Sequence, residues 1–155
     1  MTDITHIITQ DRTRTNVSAR SRKRVLEAVS DLLCEGNEHL SGRTLFDELL
    51  ARERLGSTGL GDGVAIPHCR IDCDEISAAF LKLDEPVDFD APDGKPVDLL
   101  FVLVVPPEEK HAHLEVLANL ARIFGEPENR ARFRRARSSM ELYEELIGLI
   151  NSLAA

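Results

Sequence analysis

The chain has 155 residues, of which 43% are hydrophobic and 30% charged, with a formal net charge of −8. That length suits one domain able to bury about two thirds of the surface its unfolded form would expose. The acidic balance argues against general binding to DNA or RNA, which depends on a positive surface, and leaves room for local basic patches that meet one protein partner.

The opening residues carry Asp3, Thr5, His6 and Asp11 where a secretory leader needs an apolar core. The longest apolar run, Leu99 to Val105, is too short to cross a bilayer. A soluble, cytoplasmic protein with no membrane insertion is the expectation. Cys34, Cys69 and Cys73 are odd in number and suggest no disulfide framework, so reduced thiols are expected. Residues 1–15 are polar and threonine-rich and read as an added edge segment or a mobile end of a single domain spanning 1–155.

From Ser21 a helical pattern places Val25, Leu26, Val29, Leu32 and Leu33 on one face, with Gly36 and Asn37 as its stop. A second helix starts near Ser41, its cap, and buries Leu45, Phe46, Leu49 and Leu50. The glycine-rich stretch Gly56 to Gly63 ends helical structure. Ser77 to Leu83 reads as a short strand and Glu85 to Gly94 as a turn-rich connection. Leu99 to Val105 is apolar on both faces, as a central strand covered on each side should be, and Pro106-Pro107 ends it. A helix with Leu114, Leu117, Ala121 and Phe124 along one stripe follows, then two shorter helices around Arg130 to Ala136 and Met140 to Ile150. The fold class is α/β: a single-domain sandwich with a mixed central sheet covered by helices on both faces.

The chemistry concentrates in Gly56 to Arg70, GSTGLGDGVAIPHCR. Glycines and Pro67 crowd the approach to His68, and so constrained a backbone suits a presented side chain better than an ordinary surface residue. A neutral ring nitrogen can accept a phosphoryl group, and the ordinary histidine pKa of about 6.5 makes that form available at neutral pH. Ser57 and Thr58 offer hydroxyls, the glycines offer N–H groups, and Arg52 or Arg70 offers positive charge for the added phosphate. The competing reading of His68 alone is a hydrogen-bonded core histidine.

His113 falls in the first turn of the helix after Pro107, near the buried stripe, where free N–H groups favour a phosphate. It could bind phosphoryl oxygens, orient His68, or simply pack at a helix start; His111 points elsewhere, into solvent. A metal is not expected, because His68, Cys69 and Cys73 lack the second ligand pair of a zinc site. The arginines of 130–137 read as a solvated helix face.

Four segments carry a resemblance: SRKRVLEAVSDL (21–32), LLARERLGSTGLGDGVAIPHCR (49–70), KPVDLLFVLVVP (95–106) and HLEVLANLAR (113–122). Together they resemble the IIA domain of the bacterial phosphoenolpyruvate-dependent phosphotransferase system, fructose/mannitol class, and most of all its nitrogen-regulatory branch. The resemblance implies that His68 is phosphorylated on Nε2, that His113 is the second active-site histidine and that Arg52 lies beside the site. It implies an HPr-like phosphocarrier as donor, no cofactor, and a phosphocarrier role rather than that of a stand-alone enzyme. Regulatory targets such as potassium transporters or sensor kinases would read the phosphorylation state. Alternatives are a sugar-specific component passing phosphate to a IIB domain and a binding module that is never phosphorylated. Cys69 stands where the family often has a small residue, which raises redox sensitivity as a further expectation.

Overall fold

The computed structural model describes residues 4–35, 37 and 39–154. After two short 3-10 turns the chain forms β1 (Thr13–Val17), α1 (Arg22–Cys34), α2 (Gly42–Leu55), β2 (Gly59–Gly61), β3 (Val64–Ala65) and β4 (His68–Arg70). It continues through β5 (Ser77–Val87), β6 (Val97–Val105), α3 (Ala112–Gly125), α4 (Pro127–Arg135) and α5 (Ser139–Ala154). The mixed sheet runs β1-β5-β6-β3-β2, with β4 also on β6. β5 and β6 pair antiparallel, whereas β3 and β4 both run parallel to β6.

Strand alternation divides the core into two layers. Along β6, Leu100, Val102 and Val104 pack with Val25, Leu26, Val29, Leu45 and Leu49 of α1 and α2. Their neighbours Leu99, Phe101 and Leu103 pack with Val116, Leu120, Phe124, Phe133 and Leu142 of α3 to α5. On that second face Phe80, Phe101, Phe124 and Phe133 stack with ring centroids 5.1–6.5 Å apart. Ser21 and Ser41 cap α1 and α2, accepting the N–H groups of Arg24 and Thr44.

The expected sandwich is present, with differences in detail. The threonine-rich start supplies edge strand β1, parallel to β5. Gly36, part of the expected stop of α1, lies outside the described residues. Phe46 and Leu50 are only partly buried. The glycine-rich stretch holds a small antiparallel β2–β3 hairpin as well as turns. β5 runs on through Pro86 to Val87, four residues past Leu83, because its Pro86 lies beyond the stretch paired residue by residue with β6. On α3 the buried stripe is Val116, Leu120, Ile123 and Phe124, while Leu114 and Ala121 are exposed and Leu117 is partly buried. That helix carries two overlapping apolar stripes sharing Phe124, and the sheet takes the one with the larger side chains.

The arginine run is also not uniformly solvated. Arg134 pairs with Asp98 at 2.9 Å and donates to the Asp62 carbonyl, and Arg130 donates to the Phe124 carbonyl. The Arg134 bonds brace the β2–β3 turn, where Gly61, Asp62 and Gly63 all have positive φ.

Candidate functional site

His68 opens β4. β3 and β4 lie along the same side of β6 as one line broken at Ile66-Pro67. Proline has no N–H for the ladder, though its carbonyl still accepts the Leu103 N–H at 2.9 Å. The break turns the Ile66 carbonyl towards the His68 ring, 2.7 Å from Nδ1. A carbonyl can only accept, so Nδ1 carries the hydrogen and Nε2 of the neutral ring carries the lone pair. His68 pairs with Leu103 and thus shares the sheet face covered by α3, while Cys69 turns into the layer beneath α1 and α2.

The ring is half-buried. Burial holds its pKa below the ordinary value; the charges of Arg52 and His113 act in the same direction, and the Ile66 hydrogen bond and Glu53 oppose them. Burial thus favours the neutral ring, whose Nε2 keeps its lone pair.

Around His68 the end of α2 and the following loop are tied together. Arg52 donates to the Gly56 carbonyl at 2.8 Å. Thr58, buried, donates its hydroxyl to Oε1 of the buried Glu53 and its N–H to Oε2 at 3.3 Å. The Thr58 carbonyl in turn accepts the Ile66 N–H at 3.1 Å. Ser57 donates to the Phe89 carbonyl at 2.7 Å and accepts the Gly59 N–H. Both hydroxyl hydrogens thus hold the loop's shape. Gly59 is required there, since a Cβ would come within 2.9 Å of the Ala91 methyl.

His113 lies in the first turn of α3 with its side chain 14% exposed, and its Nδ1 is 2.6 Å from Oε2 of Glu109. Glu109 also accepts the N–H groups of His111, Ala112 and His113. Desolvation raises the Glu109 pKa, but those hydrogen bonds outweigh it and hold the carboxyl at about 2. Arg70, two residues after His68, donates to the carbonyls of Pro106, Pro107 and Glu109 instead of facing a phosphate. His111 is exposed.

The sequence pointed to His68, His113, Arg52, Ser57 and Thr58; it missed Glu53 and Glu109. Glu53 continues the Leu45, Leu49 spacing of the buried face of α2, and Glu109 stands four residues before His113, so both had a readable signal. Cys69 is buried, and burial pushes its thiol up to about 12, against the thiolate form that oxidation needs. Among the described residues no group of three or more His, Cys, Asp and Glu side chains is placed to hold a metal ion, and no helix is long and apolar enough to cross a membrane. Of the large exposed apolar side chains, Leu55, Leu60 and Leu114 sit within a few residues of Arg52, the glycine loop and His113.

The site thus sets a half-buried histidine near the charges of Arg52 and of His113, a second histidine at a helix start, on a mixed α/β sandwich. Residues 6–148 match the family described as "Phosphoenolpyruvate-dependent sugar phosphotransferase system, EIIA 2", and the chain belongs to that family. Within it the likeness is to nitrogen regulatory proteins. The one from Pseudomonas aeruginosa is 44% identical over 152 residues, covering 97% of this chain and 99% of that protein. The crystal structure of nitrogen regulatory protein IIA-Ntr from Neisseria meningitidis superposes with a TM-score of 0.83 at 40% identity, covering 95% of this chain and 98% of that one. IIA mannitol from Escherichia coli shares the fold, with a TM-score of 0.69 at 17% identity, covering 94% of this chain and 96% of that one.

Proposed function

We propose that this chain is a cytoplasmic phosphocarrier of a phosphotransferase relay that receives a phosphoryl group on Nε2 of His68 and signals through its phosphorylation state. The donor is an HPr-like carrier bearing its own phosphohistidine. The Nε2 lone pair of His68 attacks phosphorus, a new P–N bond forms, and the donor's P–N bond breaks with its electron pair returning to the donor ring. Nδ1–H stays on Ile66 throughout, so the ring keeps one orientation. Transfer of this kind needs positioning and charge stabilisation more than covalent help. Arg52 supplies N–H donors and charge to the transferring oxygens, and His113 presents Nε2 to them, an N–H donor when its ring is protonated; Ser57, Thr58 and the glycine amides shape the loop.

One observation carries this reading: the Ile66 carbonyl holds Nδ1 and leaves Nε2 of a half-buried ring as the nucleophile. Leu55, Leu60 and Leu114, exposed and close in sequence to Arg52, the glycine loop and His113, offer apolar surface of the kind a protein donor needs to exclude water. The regulatory role is supported by relatives named nitrogen regulatory protein, at higher identity than the fructose-specific EIIA component of Haloferax volcanii, 29% identical over 151 residues. Its targets are then regulated proteins, such as potassium transporters or sensor kinases, in place of a IIB domain.

Incubation with carrier labelled on its phosphohistidine tests the assignment. Wild type takes up label, His68→Ala takes up none, and His113→Ala takes it up slowly with its fold intact. Uptake by His68→Ala overturns the proposal.

A further inference from the structure

We propose that Glu109 is a positioning residue for phosphoryl transfer, acting through the His113 ring and anchored by Arg70 to the strand that carries His68. The inference rests on the phosphocarrier reading and adds to it a residue outside the pattern that pointed to the site.

Three observations carry it. The Glu109 carboxylate lies 2.6 Å from His113 Nδ1, both side chains being more than four-fifths buried. Against an obligate acceptor Nδ1 carries the hydrogen, so Nε2 is the His113 nitrogen left to meet a phosphoryl oxygen. When Nε2 also carries a proton, the carboxylate is the counter-charge for it and Nε2–H is the donor. The same carboxylate receives three backbone N–H groups at the start of α3, which leaves it little freedom to swing away. Finally, one nitrogen of Arg70 donates to three carbonyls of the 106–109 turn, at 2.6 Å to Glu109 itself. β4 therefore holds His68 at one end and, through Arg70, the Glu109–His113 pair at the other. The two histidines are set by one rigid piece of structure, as transition-state groups must be.

The arrangement parallels the carboxylate that fixes the catalytic imidazole of serine proteases, where the carboxylate orients and never takes the proton. Losing the orientation of one donor costs less than deleting a donor outright, which is worth about a hundredfold or more. Roughly tenfold slower transfer is expected for Glu109→Gln, a variant that keeps an acceptor for the helix N–H groups.

A double-mutant cycle separates this role from helix capping: label uptake from phosphorylated carrier is timed for wild type, Glu109→Gln, His113→Ala and the double variant. Expected is a roughly tenfold loss for Glu109→Gln that disappears on the His113→Ala background, since the carboxylate acts only through that ring. An equal loss on both backgrounds, or none on either, overturns the inference and leaves the phosphocarrier reading standing. A wild type that takes up no label overturns both. Nitrogen-15 NMR of the His113 ring in unmutated protein is independent of how the variants fold. It is expected to show the Nδ1–H tautomer, and the Nε2–H tautomer alone overturns the inference.

Discussion

Replacing Thr58 by Val tests how the loop that presents His68 is held. The substitution keeps shape and removes one hydroxyl, whose hydrogen bond ends on the carboxylate of Glu53, a residue 2% exposed. A hydrogen bond to a charged group is worth about 1.5–3 kcal/mol, and here the acceptor has no access to water to replace it. Unfolding free energy is expected to fall by that amount, and Tm by roughly 4–10 °C for a chain of this size. The effect should reach the chemistry, because the Thr58 carbonyl holds Ile66 and the Ile66 carbonyl orients the His68 ring. Phosphoryl uptake should therefore slow severalfold. Urea unfolding followed by circular dichroism gives the first number and timed label uptake the second. A Glu53→Gln/Thr58→Val cycle should show coupling of about 1 kcal/mol or more. A Thr58→Val protein within about 0.5 kcal/mol of wild type, transferring at the wild-type rate, would show that this bond does not hold the loop.

Further outcomes follow from the same geometry. Gly63→Ala forces a Cβ onto a residue with φ +83°, against the Arg134 guanidinium and 2.9 Å from Asp98 Oδ1. Left-handed strain of about 1–2 kcal/mol plus disruption of that ion pair should lower stability by roughly 2–4 kcal/mol, measured by urea unfolding. Because burial and neighbouring positive charge depress the His68 pKa, phosphoryl uptake should stay on its plateau as pH falls through about 6.5, and Arg52→Ala should move the inflection upward. The unfolded ring binds its proton at higher pH than the folded one, so the contribution of this group to stability declines as pH drops below about 6.5. Native Cys69 should resist iodoacetamide at pH 8, since burial holds its thiol at about 12; mass spectrometry of the alkylated protein checks this.

Periodic segments were readable from the sequence because one physical demand dominates them. Val25, Leu26, Val29, Leu32 and Leu33 repeat at helical spacing behind a Ser21 cap, and β6 is apolar on both faces because both faces are covered. His68 and His113 stood out by their places after Pro67 and at a helix start, whereas Arg52 was singled out from Arg70 only by the family resemblance. Segments shaped by distant partners were harder. The β2–β3 hairpin has too many glycines to show strand character, and its turn depends on Arg134, more than seventy residues away. The stripe on α3 was misplaced because Leu114 and Leu117 compete with Val116 and Leu120 in the pattern, and only the sheet decides between them. Ser57 and Thr58 read as phosphate ligands in isolation, whereas Phe89 and Glu53 engage their hydroxyls in the folded chain. Glu53 and Glu109 matter through what they hold, and a linear sequence shows that only faintly.

Phosphorylation is expected on Nε2 of His68, because the Ile66 carbonyl occupies Nδ1. Phosphorylating nitrogen-15-labelled protein with its carrier and recording phosphorus–nitrogen couplings by NMR tests it directly. One phosphohistidine is expected, with phosphorus coupled to Nε2 of His68 and a hydrogen retained on Nδ1. Phosphorus on Nδ1, or on any other residue, contradicts it.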